Sequence, residues 1–433
     1  MPFLLRINML RRIYFSSLFK SSSIYTVDFS LQIIVQICYI FIISRLLGPS
    51  HFGIFSSVVS ISIIASTLVG VGCDQVLIRN VSHSVDGVKN SFGHGILSIF
   101  LTFPLLCLVV MILIYAFIDV GELTVINIIL LVSSDLLFTK IVFLSKSCFA
   151  SHEIVSRQLF INLISTLLKL FFLLLGLYVL PVFNLSSWTY LYFLSNFLSA
   201  CIGYLFVIHQ FGYPKFELKI KYFGIGSLFS IEQISLASIK DVDKPILAYL
   251  GGPEIAGEYA IAFRIADSAS SPIRGVLYAL YIRYFRISNA SRVDAIRLAL
   301  RVLPLLLIIG LALGLFIYIS PLWLPSLLGP KYSNASSLLR YFCVYPILFL
   351  LVGTASDLLR VLGRQNLRTI LSVAGAVGMP VLLYFGYTGF GVVGLIFAKL
   401  VVLAIISLIS FLFINVTLIS AYGRNYFFRM LKS

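Results

Sequence analysis

Charged side chains are scarce in this sequence: Asp, Glu, Lys and Arg make up 11% of its 433 residues, against about 25% in ordinary soluble domains. Hydrophobic residues reach 60%, more than a soluble core can hide, so a water-soluble fold is excluded. No polar stretch is long enough to fold alone, which excludes an extramembrane domain. Cysteines are few. Cys38, Cys73, Cys107, Cys148, Cys201 and Cys343 stand singly in or beside apolar segments, without C-x-x-C spacing or a nearby His cluster, so a zinc site or disulfide framework is not indicated and they read as packing residues. No glycine-rich nucleotide loop, Ser/His/Asp set or metal-ligand cluster occurs, and the five histidines are scattered. No cofactor is implied, and the reading is non-enzymatic.

What the chain has instead is long apolar runs. A spanning helix needs about 20 mainly apolar residues. Hydropathy predicts twelve such helices, near 24–47, 52–73, 92–117, 122–147, 156–181, 187–209, 224–250, 256–280, 300–323, 334–359, 368–388 and 390–416. The expected fold is therefore an all-α polytopic membrane protein. Arg6, Arg11, Arg12 and Lys20 precede the first run, which continues through Leu47 without a small-residue cleavage site, so that helix is expected to be retained.

The formal charge of +16 does not point to nucleic acid, because the basic residues lie between the apolar runs as topology signals. With a cytoplasmic N-terminus, about 22 Lys and Arg fall inside and about 2, Arg45 and Lys331, outside. This predicts that both termini face the cytoplasm.

The sequence also repeats itself. Shifted by 204 positions, Gly48-Pro49-Ser50-His51-Phe52-Gly53-Ile54-Phe55 falls on Gly252-Pro253-Glu254-Ile255-Ala256-Gly257-Glu258-Tyr259, and Ile24 to Asp28 falls on Leu228 to Glu232. At a shift of 207, Arg157-Gln158 falls on Arg364-Gln365. The expectation is two six-helix lobes, 1–209 and 224–433, joined by a cytoplasmic linker at 210–223. Six spans is an even number, so the two copies run parallel about an axis along the membrane normal, with a site between them. Proline fixes φ and glycine permits close approach, so each Gly-Pro step should set a helical hairpin.

Ionisable residues inside the predicted spans are Asp28, Asp135, Lys140, Lys169, Glu232, Lys240, Asp241, Asp243, Lys244, Arg264, Asp267, Arg274 and Lys399. Each would cost about 3 kcal/mol at a helix centre facing lipid, so they should line an internal cavity or pair with one another. Phase agrees: Asp28, Gln32 and Gln36 share one face, as do Arg264, Asp267, Ser271 and Arg274. Lys140, Lys169, Lys240, Arg264, Arg274 and Lys399 are the candidates for contacting a substrate; Asp28, Glu232 and Asp267 are the candidates for ion coupling. The alternative is local pairing at helical spacing, Lys240 with Asp243, Asp241 with Lys244 and Arg264 with Asp267. Lys169 and Lys399 have no local acid, which favours a role in the lumen.

Several short motifs carry a resemblance: Ser44 to Gly53, Asp74 to Arg79, Leu327-Leu328-Gly329-Pro330-Lys331-Tyr332, Gly363-Arg364-Gln365 and Gly389 to Gly394. In this order and spacing the chain resembles the Wzx-type O-antigen flippases of the polysaccharide transporter family, in the multidrug/oligosaccharidyl-lipid/polysaccharide exporter superfamily. The resemblance implies a MATE-like, two-lobed fold in the bacterial inner membrane. It further implies a substrate of undecaprenyl-diphosphate carrying an oligosaccharide repeat, turned from the cytoplasmic to the periplasmic leaflet by alternating access coupled to an ion gradient. An O-antigen polymerase and a chain-length regulator would be partners. Two other readings are open. A drug or cation antiporter of the same fold should have an acid-dominated cavity, and a membrane-embedded polymerase or glycosyltransferase should show a large outer loop or paired acids.

Overall fold

The computed structural model describes residues 2–80, 85–288, 292–322 and 324–422, and side chains between 34 and 416. Everything regular in it is helical: α1 Pro2–Ser66, α2 Cys73–Asn80, α3 Val85–Phe117, α4 Val125–Ser133, a π-turn at Ser134–Phe138, α5 Thr139–Ser151, α6 Val155–Val179 and α7 Leu185–Phe211. The second half runs α8 Ile220–Asp241, α9 Asp243–Ala269, α10 Ser271–Ser288, α11 Arg292–Ile319, α12 Leu324–Leu328, α13 Ser333–Tyr341, α14 Tyr345–Val361 and α15 Gln365–Tyr422.

Among the described residues, eight helices are long and apolar enough to cross a membrane. Two of them each contain two of the sequence-predicted stretches, because α1 breaks at Gly48 and α15 at Phe390 and Gly391. The stretches 224–250 and 256–280 are helical as α8 to α10 but are not among the eight. They hold most of the intramembrane charges, which lowers their apolar character.

The Gly48 break has φ 71 and ψ 171, and Gly252, its repeat partner inside α9, has φ 86 and ψ 167. Gly329, also followed by proline, has φ 88 and ψ 170. Proline keeps the residue before it out of the helical region, and only glycine readily takes the positive-φ form of the resulting extended bend.

The two breaks meet. A Cβ on Gly53 would sit 1.7 Å from the Pro253 carbonyl oxygen, and one on Gly257 would sit 1.9 Å from that of Pro49. The contact is reciprocal: each repeat's proline carbonyl fits against the other repeat's glycine. Ser57 extends the seam by donating to the Lys244 carbonyl at 3.3 Å. One large apolar cluster runs across it, from Ile43, Val58 and Leu77 to Tyr259, Ile261 and Leu395.

The outer faces are inverted relative to a soluble protein. Leu101, Leu105, Leu108 and Ile112 on α3, and Leu305, Ile308, Leu311 and Leu315 on α11, are all about 60% exposed. Their spacing of three and four residues makes each an apolar stripe suited to acyl chains. α3 and α11, the third predicted helix of each repeat, are equally peripheral, with 22% of each apolar window buried.

Candidate functional site

Most of the intramembrane charges find a partner across helices. Lys140 on α5 donates to Asp74 on α2 at 2.8 Å. Asp267 receives Lys240 at 3.1 Å on one oxygen, while Arg274 and the Tyr345 hydroxyl, the latter at 3.2 Å, bond the other. Glu232 pairs with Arg368 of α15 and accepts from Gln365 at 2.9 Å. The side chain of Asp28 lies outside the described residues.

Lys399, Lys244, Asp243 and Asp241 form a dry cluster. Lys244 is fully buried, and Lys399 and Asp243 are 1% exposed. Lys244 donates to Asp241 at 2.5 Å, Lys399 pairs with Asp243 and donates to the Lys240 carbonyl at 2.9 Å, and Tyr259 donates to Asp243 at 2.5 Å. Both ammonium groups sit over the Phe263 ring, at 3.5 and 4.9 Å. Two acids balance two lysines, so the cluster is neutral, and its buried charges are hydrogen-bonded as burial demands.

Of the predicted local pairs, only Asp241 with Lys244 forms. Lys240 reaches Asp267 instead of Asp243, and the Arg274 guanidinium, not that of Arg264, takes the remaining Asp267 oxygen. Lys399, which has no acid nearby in sequence, finds one 156 positions away.

Among the described residues, two candidates remain without a carboxylate bonded to them: Lys169 on α6 and Arg264 on α9. Lys169 lies 5.0 Å from the centre of the Tyr192 ring, a cation held by an aromatic face. Arg264 lines a small cleft with Ile37, Ile40 and Phe41 of α1, Ile265 of α9 and Phe316 of α11. Among the described residues it is the one charge in otherwise apolar or small walls. The two cations come from opposite repeats, and both act electrostatically on the same buried carboxylate, Asp135.

Asp135 lies on the π-turn Ser134–Phe138 and is 3% exposed. One oxygen accepts from the Tyr192 hydroxyl at 2.8 Å, and the other has no partner. The turn is sustained by side chains: Ser133 and Ser134 each donate to carbonyls of the preceding turn at 2.6 Å, and Thr139 donates to the Ser134 carbonyl at 3.1 Å. π-turns of this kind are frequent at functional positions in helices. Sequence reasoning counted Asp135 among the buried charges but missed its place here. No sequence feature marks the π-turn, and Tyr192, on α7, is distant in the chain.

Chemically, this arrangement leaves two cations with no carboxylate bonded to them among the described residues, Lys169 over an aromatic ring and Arg264 beside an apolar cleft. Its frame is the fold of the multidrug/oligosaccharidyl-lipid/polysaccharide (MOP) exporters. The chain is similar to a structure titled the inward-facing conformation of a multidrug resistance MATE family transporter of the MOP superfamily, with TM-score 0.66, 17% identity, and 91% of this chain and 94% of that one covered. The outward-facing structure of a multidrug resistance MATE family transporter gives TM-score 0.62 at 18% identity over 93% and 96%. A MOP superfamily transporter from Pyrococcus furiosus, whose title describes a binding pocket of reverse polarity, gives 0.63 at 16% identity over 92% and 96%. No curated protein sequence matches the chain.

The sequence profile described as Polysaccharide biosynthesis protein matches residues 18–281. The chain belongs to that family, on a multi-pass helical membrane fold.

Proposed function

We propose that this protein is a flippase for a lipid-linked oligosaccharide, with undecaprenyl-diphosphate as carrier, turning the repeat unit from the cytoplasmic to the periplasmic leaflet of the bacterial inner membrane. In this reading twelve spans form two lobes, 1–209 and 224–433, linked by 210–223, with both termini cytoplasmic. Access alternates as the lobes rock about the seam between them, and an ion gradient biases the cycle. An O-antigen polymerase and chain-length regulator would take the product onward.

One observation carries the reading: Lys169 and Arg264 are cations from opposite halves, bonded to no carboxylate among the described residues and both acting on the buried Asp135. A diphosphate offers charge and several acceptor oxygens, and guanidinium binds such groups by paired, charge-assisted hydrogen bonds. The apolar wall of Ile37, Ile40, Phe41 and Phe316 around Arg264 suits the first isoprene units of the carrier, whose remainder stays in lipid. Membership in a polysaccharide biosynthesis family supports the class of cargo.

The test is complementation of a deletion strain. Lys169→Ala and Arg264→Ala should each lower surface polysaccharide about tenfold at equal protein level, the expected loss of one charge-assisted contact. The deletion strain should accumulate a lipid-linked saccharide whose chemical analysis identifies the cargo. Normal polysaccharide from both variants would end the proposal, and efflux of a cationic dye would favour a drug antiporter.

A further inference from the structure

The Asp135 carboxylate is unlike Asp243 and Asp267, the two most heavily partnered acids of the second repeat. Asp243 has Lys399, Tyr259 and Lys244 on its two oxygens, and Asp267 has Lys240, Arg274 and Tyr345. Asp135 has a single neutral donor, Tyr192, although two cations act on it. Its second oxygen is not alone in lacking a partner. The Tyr39 hydroxyl and the Trp188 indole nitrogen are also buried without one. The three belong to one contiguous group. The Tyr39 and Trp188 rings are 5.9 Å apart, those of Trp188 and Tyr192 are 5.8 Å apart, and Tyr192 holds Asp135.

Buried polar groups are nearly always satisfied, so three orphans in one place mark a centre organised for something that comes and goes. Trp188 is fully buried and Tyr192 is 4% exposed, which leaves no room among the orphans for a sugar. What can change is the charge balance. Without cargo, Asp135 is the counter-charge for Lys169 and Arg264. It acts at a distance, because its bonded oxygen is tied to Tyr192 and neither cation contacts it. A contact pair in this low-dielectric interior would be hard to displace; an offset one leaves both cations able to turn toward a phosphate.

We infer that Asp135 is a built-in stand-in for the cargo's anion: it offsets part of the positive charge of Lys169 and Arg264 while the site is empty and, by competing with the diphosphate for them, keeps binding loose enough for release. Tyr192 is the spacer that holds the carboxylate off Lys169. This rests on the anion-binding reading above and adds to it the residue that sets affinity. Transport needs binding that is favourable enough to load and weak enough to unload, and Asp135 supplies the weakening half.

The experiment uses the full chain in nanodiscs of uncharged phosphatidylcholine, titrated with farnesyl diphosphate. Asp135→Asn keeps the shape and removes the competing charge, so it should bind about tenfold tighter than the wild type, equivalent to about 1.4 kcal/mol. Tyr192→Phe releases the carboxylate toward Lys169 and should bind severalfold more weakly. Opposite signs from neighbouring residues are something structural damage does not produce. If Asp135→Asn fails to fold, the Tyr192→Phe result stands by itself: unchanged or tighter binding overturns the inference. Equal or weaker binding by a folded Asp135→Asn overturns it as well. The anion reading fails separately, when farnesyl diphosphate binds wild type, Lys169→Ala and Arg264→Ala alike or does not bind at all.

Discussion

The two repeats place the same positions together and fill them with opposite chemistry. At the shift of 204, Tyr39 falls on Asp243 and Phe55 on Tyr259; at the shift of 207, Tyr192 falls on Lys399. In the second repeat these positions form the saturated cluster in which Asp243 binds both Lys399 and Tyr259. In the first they form an aromatic nest, with Phe55 5.5 Å from Tyr192 and Tyr39 beside Trp188. Asp241, Asp243 and Lys244 of the second repeat close on one another and on Lys399 across α8, α9 and α15; Arg264 does not join them. The charges of the first repeat around Asp135 are incompletely matched, and incomplete matching is what a ligand can use. Buried charge by itself therefore says little about function; the number of partners each charge holds is the informative quantity.

The contrast can be broken at several points. The largest effect should come from Lys399→Ala, which leaves Asp243 buried beside one fewer cation. Removing one partner of such a pair costs about 3–5 kcal/mol, so folded protein recovered in detergent should fall sharply. Lys169→Ala should leave thermal stability nearly unchanged while transport drops. Stability loss of the same size in both would erase the distinction between the repeats.

Next come Gly53→Val and Gly257→Val. Their side chains would collide with the Pro253 and Pro49 carbonyls, so each should reduce transport strongly, and by a similar factor because the contact is reciprocal. A large asymmetry, read as surface polysaccharide at equal expression, would contradict the symmetric seam.

A subtler comparison uses one buried tyrosine from each repeat. Tyr259→Phe removes a hydrogen bond to a charged acceptor and should cost about 1.5–3 kcal/mol. Tyr39→Phe removes a hydroxyl with no partner and should be close to neutral in the same thermal assay. The smallest effect is expected from Arg297→Ala, whose pairing with Asp294 at 2.9 Å is partly exposed; exposed pairs contribute about 0.2–1 kcal/mol.

Helix positions were legible in the sequence because membrane passage demands long apolar runs, and the Gly48 and Gly252 breaks were legible because proline constrains its neighbour. The reciprocal fit of those turns was not, since the repeat alone does not say which faces meet. Pairing was legible only where the partners lie within one turn, as for Asp241 and Lys244. Lys140 with Asp74, Glu232 with Arg368 and Lys399 with Asp243 join distant parts of the chain, and no spacing rule reaches that far. In the sequence, only location inside a span singles out the six candidate cations. Partner geometry separates Lys169 and Arg264 from the other four. Asp135 was passed over because the π-turn that presents it leaves no trace in residue type.

The meeting of Pro49 with Gly257 and of Gly53 with Pro253 has a historical reading as well. Where residue i of one unit touches residue j of the other, and j touches i, the contact is of the kind made by identical subunits about a two-fold axis. A surface with that property mates with its own copy. A single six-helix ancestor bearing one Gly-Pro turn could have assembled as a symmetric dimer before its two copies were joined end to end.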